Sequence, residues 1–487
     1  MKPGKKTAIV LLTAALLTFS AGCHAAETSA PIHTHSVSAS QPGRLSAQET
    51  LSLVREAYLY ATPLIYTDLT RLTSSPADNT LVHLQEFPDH TFKRVVAPNN
   101  DTNYSIAFLE LGDEPVVIEI PDTNGRYFVF PLQDAWTNNF VLPGKRTTGT
   151  GAQKYIVTGP NWQGEIPAGL SHLQSPTNLV WAIGRIQVNS PEDQKNVVAP
   201  LQQKFVLKPL SKWLAKETVA PSRKRYGNDL PADHQGKNAV ELVKGLSIED
   251  FFNYFNALLV DNPPASADSP IIHRIAQVGI GAGKHFSLND FDAKTRQALN
   301  KISAEVYQAF DQTLKEAQNP NILFGIDTSD PEGKLGDYKT NYNYGALVAY
   351  KGLGALPPEE AIYYSYFADN AGEALNGKYK YRIHFDNNKL PPAEAFWSYT
   401  VYGKDRYLVD NPIKRYAIGD RDKLHYNADG SLDLWLTHEN PGADKANNWL
   451  PVPNDRFNVT ARIYIPKAEF LKNQSLWQDP KPEKVKE

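Results

Sequence analysis

Apolar and polar positions alternate in three regimes along this chain. Ser46-Ala47-Gln48-Glu49 has the form of a capping box, and Leu51, Val54, Tyr58, Ala61 and Ile65 follow at the spacing of one helix face, which predicts an amphipathic first helix. Between residues 93 and 190 the period shortens. Runs of Val, Ile, Tyr and Phe at 104–111, 116–120, 126–132, 154–157 and 178–188 are broken by turn residues, the spacing of an antiparallel β-sandwich. Residues 191–240 are polar and proline-rich and read as a crossover. Helical spacing returns over 247–260, 271–278 and 290–317, with a further helix expected from Tyr342 and another opened by Pro357-Pro358-Glu359-Glu360. From 379 to 466 the short β runs resume, at 381–385, 396–402, 431–437 and 457–464. The charged segment after Lys467 is expected to fray.

This patterning predicts a mainly β protein with a helical middle, of the α+β class. An N-terminal β-sandwich and a C-terminal jelly-roll-like β-sandwich are joined by a helical segment. The expected divisions are a signal peptide over 1–22, a flexible tether over 23–44, the first helix plus sandwich over 45–190, crossover and helices over 191–378, the second β domain over 379–470 and a charged tail over 471–487.

The beginning of the chain carries an address. Lys2, Lys5 and Lys6 precede an apolar run from Ala8 to Phe19 that is too short to span a bilayer and has the form of a secretory signal. Ser20-Ala21-Gly22-Cys23 then resembles a lipoprotein box, with Cys23 as the lipidated residue and the membrane as partner through that lipid. Ordinary cleavage after Ala25 is the competing reading. Both place the folded part outside the cytoplasm, on the periplasmic or envelope side. His33 and His35, in an Ala-, Ser- and Thr-rich stretch, lack a third metal ligand nearby.

Composition narrows the functional classes. Lys plus Arg number 50 against 53 Asp plus Glu, so there is no basic excess to bind nucleic acid. The single cysteine excludes an intramolecular disulfide and a cysteine-rich zinc site. Gly-x-Ser-x-Gly and His-Glu-x-x-His are both absent, which removes two common hydrolase signatures. Gly279-x-Gly281-x-Gly283-Lys284-His285 lacks the first glycine and the Ser/Thr of a phosphate loop and reads as a turn ending a helix. Asn427-x-Asp429-Gly430 lacks the acids of a calcium loop and reads as a hairpin turn.

Two groups of segments resemble a known family. Ala97-Pro-Asn-Asn-Asp-Thr-Asn-Tyr-Ser105 and Pro143-Gly-Lys-Arg-Thr-Thr-Gly149 resemble domain of unknown function 1254. Pro391-Pro-Ala-Glu-Ala-Phe-Trp-Ser398, Asn411-Pro412, Arg415-Tyr416, Asp429-Gly-Ser-Leu432 and Asn448-Trp-Leu-Pro451 resemble its usual C-terminal partner, domain of unknown function 1214. The resemblance covers most of residues 50–470 and implies a sandwich-like first domain, a helical middle and a jelly-roll-like second domain. It supplies no reaction.

Candidate chemistry therefore comes from the residues. The loop holding Asn99, Asn100, Asp101 and Tyr104 is the most polar in the chain and runs into an apolar strand; it either holds a ligand or caps turn backbone. Arg146 could clamp a carboxylate or phosphate, or pair with Asp101 or Asp134. Asp134 and Trp136 set an acid beside an aromatic platform. On the C-terminal side Arg382, His384, Trp397, Tyr399 and Arg415 are spaced for one face or mouth of a sheet, and the His384 imidazole could act as acid, base or metal ligand.

Two classes of function follow. In one, a hydrolase or lyase acts on a small polar or glycan-like substrate in a cleft between the β domains, with Asp101 or His384 as acid or base and Arg146 and Tyr104 binding charge. In the other, a non-catalytic envelope protein binds a ligand or partner. The sequence names no cofactor or metal and leaves room for a homo-oligomer. Convergence of Asp101, Arg146 and His384 on one pocket favours the enzyme; dispersal favours the binder.

Overall fold

The computed structural model describes residues 45–74, 76–93, 97–226, 236–316 and 333–485. Cys23, the signal segment, the tether and His33 and His35 lie outside the described residues. Among the described residues, no helix is long and apolar enough to cross a membrane.

The first helix, Ala47–Thr73, begins at the expected capping box: the Ser46 side chain accepts from the Glu49 backbone and Glu49 returns to the Ser46 backbone. It is buried along nearly its whole length by the later helices Ala239–Gly245, Ile248–Asp261, Ile302–Glu316 and Tyr342–Lys351. The helix from the start of the chain thus belongs to the helical layer. The long periodic stretch 290–317 is two helices, Ala293–Leu299 and Ile302–Glu316.

Two sheets form the N-terminal β half. Sheet I centres on the strands Thr102–Glu110 and Leu179–Gln187, paired antiparallel from Thr102 opposite Gln187 to Glu110 opposite Leu179. Sheet II holds Val116–Ile120 between Val206–Pro209 and Gln153–Thr158. Alternation puts Ala107, Leu109, Val180 and Ala182 of sheet I against Val116, Ile118 and Val157 of sheet II, so these two faces form one core. The opposite face of sheet I carries Tyr104, Ile106, Phe108, Trp181, Ile183 and Arg185.

The C-terminal half is a second sandwich. Sheet III has the order Ala361–Tyr366, Phe457–Pro466, Ala393–Gly403, Ala417–Gly419; sheet IV is built on Tyr381–Phe385 and Leu432–Thr437. Tyr381, Ile383, Phe385 and Leu434 pack against Trp397, Tyr399, Ala461 and Ile463 between them. The outer face of sheet III is left to Tyr363, Phe396, Ser398, Arg462 and Tyr464. The mainly β architecture with a helical middle is the one the periodicity predicts. Not every pair is antiparallel: Gln153–Thr158 with Ser171–Gln174, and Leu432–Thr437 with Trp449–Pro451, run parallel.

Two local expectations are corrected. Pro357-Pro358-Glu359-Glu360 opens no helix; it is a turn into the strand Ala361–Tyr366, whose tyrosines satisfy β pairing better than a helix face. As far as residue 485 the tail does not fray. Phe470 and Trp477 are buried, Glu483–Lys484 pairs with the strand of sheet IV, and the Tyr399 hydroxyl donates to Asp479 at 3.0 Å.

Candidate functional site

The asparagines of the polar loop before Thr102 are spent on internal partners, the Asn99 amide donating to Thr102 Oγ1 at 3.0 Å and to the Tyr464 hydroxyl of the C-terminal half at 3.1 Å. Asn99 Oδ1 accepts the backbone N–H of Asp101 at 2.7 Å and of Thr102 at 3.2 Å, and the Asn100 amide donates to the Pro88 carbonyl at 2.6 Å. What this turn positions is Asp101, fully buried. Its carboxylate accepts from Ser398 Oγ at 2.5 Å and from the Tyr464 hydroxyl at 3.4 Å, and it is ion-paired with Arg421. All three partners come from the C-terminal half. Asp101 is therefore a tie between the two β halves.

Beside that tie, register assembles a cluster. On sheet III, Tyr363, Arg462 and Ser398 lie abreast, with Ala361, Tyr464 and Phe396 in the next row. On sheet I, Tyr104 stands opposite Arg185, whose guanidinium lies 5.4 Å from the Tyr104 ring centroid. Arg185 and Arg462 are only 8% and 5% exposed. Arg462 donates to Thr400 Oγ1 at 2.8 Å and to the Tyr402 hydroxyl at 2.6 Å; Arg185 donates to the Gly354 carbonyl at 2.6 Å, and its Nε has no partner among the described residues. Neither forms an ion pair with a carboxylate among the described residues. Tyr127, Phe396 and Tyr464 wall the cluster, with Phe396 stacked on Tyr464 at 4.2 Å. Burial, and then the Asp101 charge, hold the Tyr464 hydroxyl well above its ordinary range, so it acts as a neutral hydrogen-bonding group. Tyr104, Ile106 and Tyr363 remain half-buried and keep solvent contact.

Arg146 reaches the rim of the same interface. It pairs with Glu360, itself in reach of the Tyr127 hydroxyl at 3.4 Å, and with neither Asp101 nor Asp134. Burial raises the Glu360 carboxyl, against the pull of Arg146.

The remaining candidates are dispersed. His384 points from the strand Tyr381–Phe385 of sheet IV, bonded through Nδ1 to Asp433 at 2.7 Å and facing Asp386 at 3.4 Å. Arg382 pairs with Glu483 at 3.2 Å. Trp397 and Tyr399 fill the core between sheets III and IV, and Arg415 donates to the carbonyls of Ala446, Asn447 and Trp449. The alternation that put His384 with Arg382 on one strand face is right, but that face is not the one that meets the N-terminal half. Asp134 accepts the backbone N–H groups of Trp136 and Asn138, both at 2.9 Å, and burial pushes its carboxyl up to about 7. Trp136 packs on Tyr60 and Phe255 in the helical layer.

An open surface cleft of about 630 Å³ lies near Arg126, Gln187, Asn189 and Lys204. Its arginine is consumed by Asp193 at 2.7 Å, so it offers less directed chemistry than the cluster. Among the described residues no group of three His, Cys, Asp or Glu is placed to hold a metal ion. Sequence reasoning missed Arg185 and Arg462. Each is the lone charged residue of a largely buried strand, LVWAIGRIQ and FNVTARIYIP, and that anomaly was the available signal.

Comparison with known proteins gives the following. Residues 79–209 match the model of the family described as Protein of unknown function (DUF1254), and residues 360–468 match Protein of unknown function (DUF1214). The chain is similar in structure to the VPA0106 protein from Vibrio parahaemolyticus, with a TM-score of 0.70 and 24% identity over 90% of this chain and 100% of that one. An uncharacterized protein from Burkholderia cenocepacia aligns at a TM-score of 0.39 and 10% identity over 90% of this chain and 93% of that one, too little to carry an argument. No curated protein matches the chain.

Proposed function

The chain belongs to the family that joins domain of unknown function 1254 to domain of unknown function 1214, and from that premise we propose that it is an exported, non-catalytic envelope protein whose arginine and tyrosine cluster binds a small oxyanion with a flat apolar body. The observation that carries the reading is the pair of guanidiniums of Arg185 and Arg462, each more than nine-tenths buried and without a carboxylate ion pair among the described residues. Arginine cannot shed its proton at physiological pH, so a buried, unpaired guanidinium is stabilised only by hydrogen bonds, aromatic faces or an incoming anion. The unpartnered Nε–H of Arg185 offers a donor for a carboxylate or phosphate oxygen, and the Tyr104, Tyr363 and Tyr464 rings suit a flat body between the sheets.

The enzyme reading has less support. Asp101 is saturated by Arg421, Ser398 and Tyr464, and His384 belongs to a different sheet, so the residues expected to share acid–base work do not meet. The envelope location rests on the signal-like first 22 residues, and lipid at Cys23 would tether the site to a membrane.

Calorimetric titration of the whole chain with benzoate and with inorganic phosphate tests this. Saturable binding of one of them, weakened at least about tenfold by Arg185→Met and by Arg462→Met, is the expected result. Absence of binding by both anions, or binding that both variants retain, overturns it.

A further inference from the structure

A second row of polar groups stands on the same face of sheet I, beyond the arginine cluster and built from uncharged side chains. The strands Leu132–Asp134 and Asn139–Val141 form the far edge of the sheet, and their register sets Gln133 opposite both Asn139 and Trp181. Directly paired residues project to one side, so these three side chains are neighbours. Five buried polar atoms here have no hydrogen-bond partner among the described residues: Gln133 Oε1, Thr137 Oγ1, Asn139 Oδ1, Asn139 Nδ2 and Trp181 Nε1. Gln133 and Thr137 are only 2% and 3% exposed. A buried polar atom without a partner costs free energy, and four of these five belong to the neighbouring side chains of Gln133, Asn139 and Trp181, with Thr137 in the turn that joins the two short strands.

The backbone around the row is held in place by other contacts. Thr137 sits at φ 69°, a left-handed conformation that a β-branched residue rarely adopts, in the turn closed by the Asp134 carboxylate. Gly336 accepts the Asn139 backbone N–H at 2.7 Å and comes so close that a Cβ there would lie 2.3 Å from Asn139 Nδ2. Phe108 stacks on Trp181 at 5.5 Å, and Gly354, at φ 80°, lies so near the same ring that a Cβ there would be 3.2 Å from it. The Trp181 ring is clamped, while its indole N–H is left without an acceptor.

We propose that the row of Gln133, Asn139 and Trp181 is a binding site for a small uncharged group that offers an adjacent hydrogen-bond donor and acceptor, the chemistry shared by a carboxamide and a pair of vicinal hydroxyls. Asn139 presents its amide donor and acceptor side by side, Trp181 adds a donor and Gln133 an acceptor. No charged side chain contributes an unpaired group, which separates this chemistry from that of the arginine cluster. The Asp134 carboxyl is consumed by the turn.

Saturation-transfer nuclear magnetic resonance on the whole chain, with acetamide and separately with glucose, tests the proposal. A saturable signal from one of the two is expected and identifies which source of that chemistry the site takes. Excess benzoate leaves the signal in place, and Asn139→Leu weakens binding at least about tenfold. Should Asn139→Leu not fold, Trp181→Phe, which keeps the ring and removes the donor, is expected to weaken the same signal. Signal from neither probe, a signal that the folded variant retains, or a high-resolution crystal structure in which water alone bridges the five atoms after soaking overturns the proposal.

Discussion

Arg71 and the pair Arg185 and Arg462 are buried to similar depth and solved in opposite ways. Arg71, at the end of the first helix, donates from Nε to Asp68 at 2.8 Å and doubly to Asp78 at 2.9 and 2.7 Å, with its remaining nitrogen on the Lys224 carbonyl at 2.9 Å. Tyr254 and the Lys224 backbone complete the shells of the two carboxylates. That guanidinium is fully paired and joins the helical layer to the N-terminal β half. Arg185 and Arg462 have only hydroxyls, a carbonyl and aromatic rings. Asp134 shows the third solution to buried charge: a carboxyl without a cation, which can stay protonated. A guanidinium lacks that option, so a buried and unbalanced arginine points outward to a ligand where an unbalanced aspartate does not.

The comparison is sharpened by substitutions of decreasing effect. Arg71→Met strands Asp68 and Asp78 and is expected to cost about 3–5 kcal/mol in urea unfolding. Asp134 is next. Its folded-state value of about 7 exceeds the ordinary 3.8, so the folded state holds the proton more tightly. Its contribution is fully present below the ordinary value and is lost as pH rises toward 7, at a slope of up to about 1.4 kcal/mol per unit. Asp134→Asn is expected to flatten that part of the stability profile, measured as urea midpoints from pH 4 to 7.

Arg185→Met comes third, with unfolding free energy expected within about 1 kcal/mol of the parent or higher, because an apolar side chain of similar length replaces an unbalanced charge. A loss as large as that of Arg71→Met would break the comparison and make the cluster structural. His384→Ala is expected to change stability by no more than about 0.5 kcal/mol and to leave benzoate binding intact, since a part-exposed ion pair contributes little. Circular dichroism melts and the same titration check both.

Much of the fold was legible because period and turn chemistry are local. Val116–Ile120 and Tyr381–Phe385 fall where alternation puts them, and the capping box at Ser46 starts the helix it predicts. The strand Ala361–Tyr366 was not legible. A proline pair followed by two acids has the local form of a helix start, and only pairing with Phe457–Pro466, about a hundred residues later, overrides it. The tail was misread for the same reason: charge suggests solvation, while Trp477 is buried against Tyr364 and Asp479 accepts from Tyr399, both of sheet III and some eighty residues or more earlier.

The polar loop at 99–104 was visible as unusual, and Asp101 is indeed a point of convergence, but its partners Ser398 and Arg421 lie some three hundred residues away. By itself the sequence determined the alternation of β, helical and β regimes, the absence of a basic surface balance and the candidate address at the beginning of the chain, because each depends on residues close together or on simple sums. Only the tertiary structure decided which face of each sheet meets another, and hence that Arg185 and Arg462 both come within electrostatic reach of Tyr464 while His384 is paired with Asp433 on another sheet. The physical reason is that a strand's two faces differ by a single residue of register, but what covers each face is set by chain segments hundreds of positions apart.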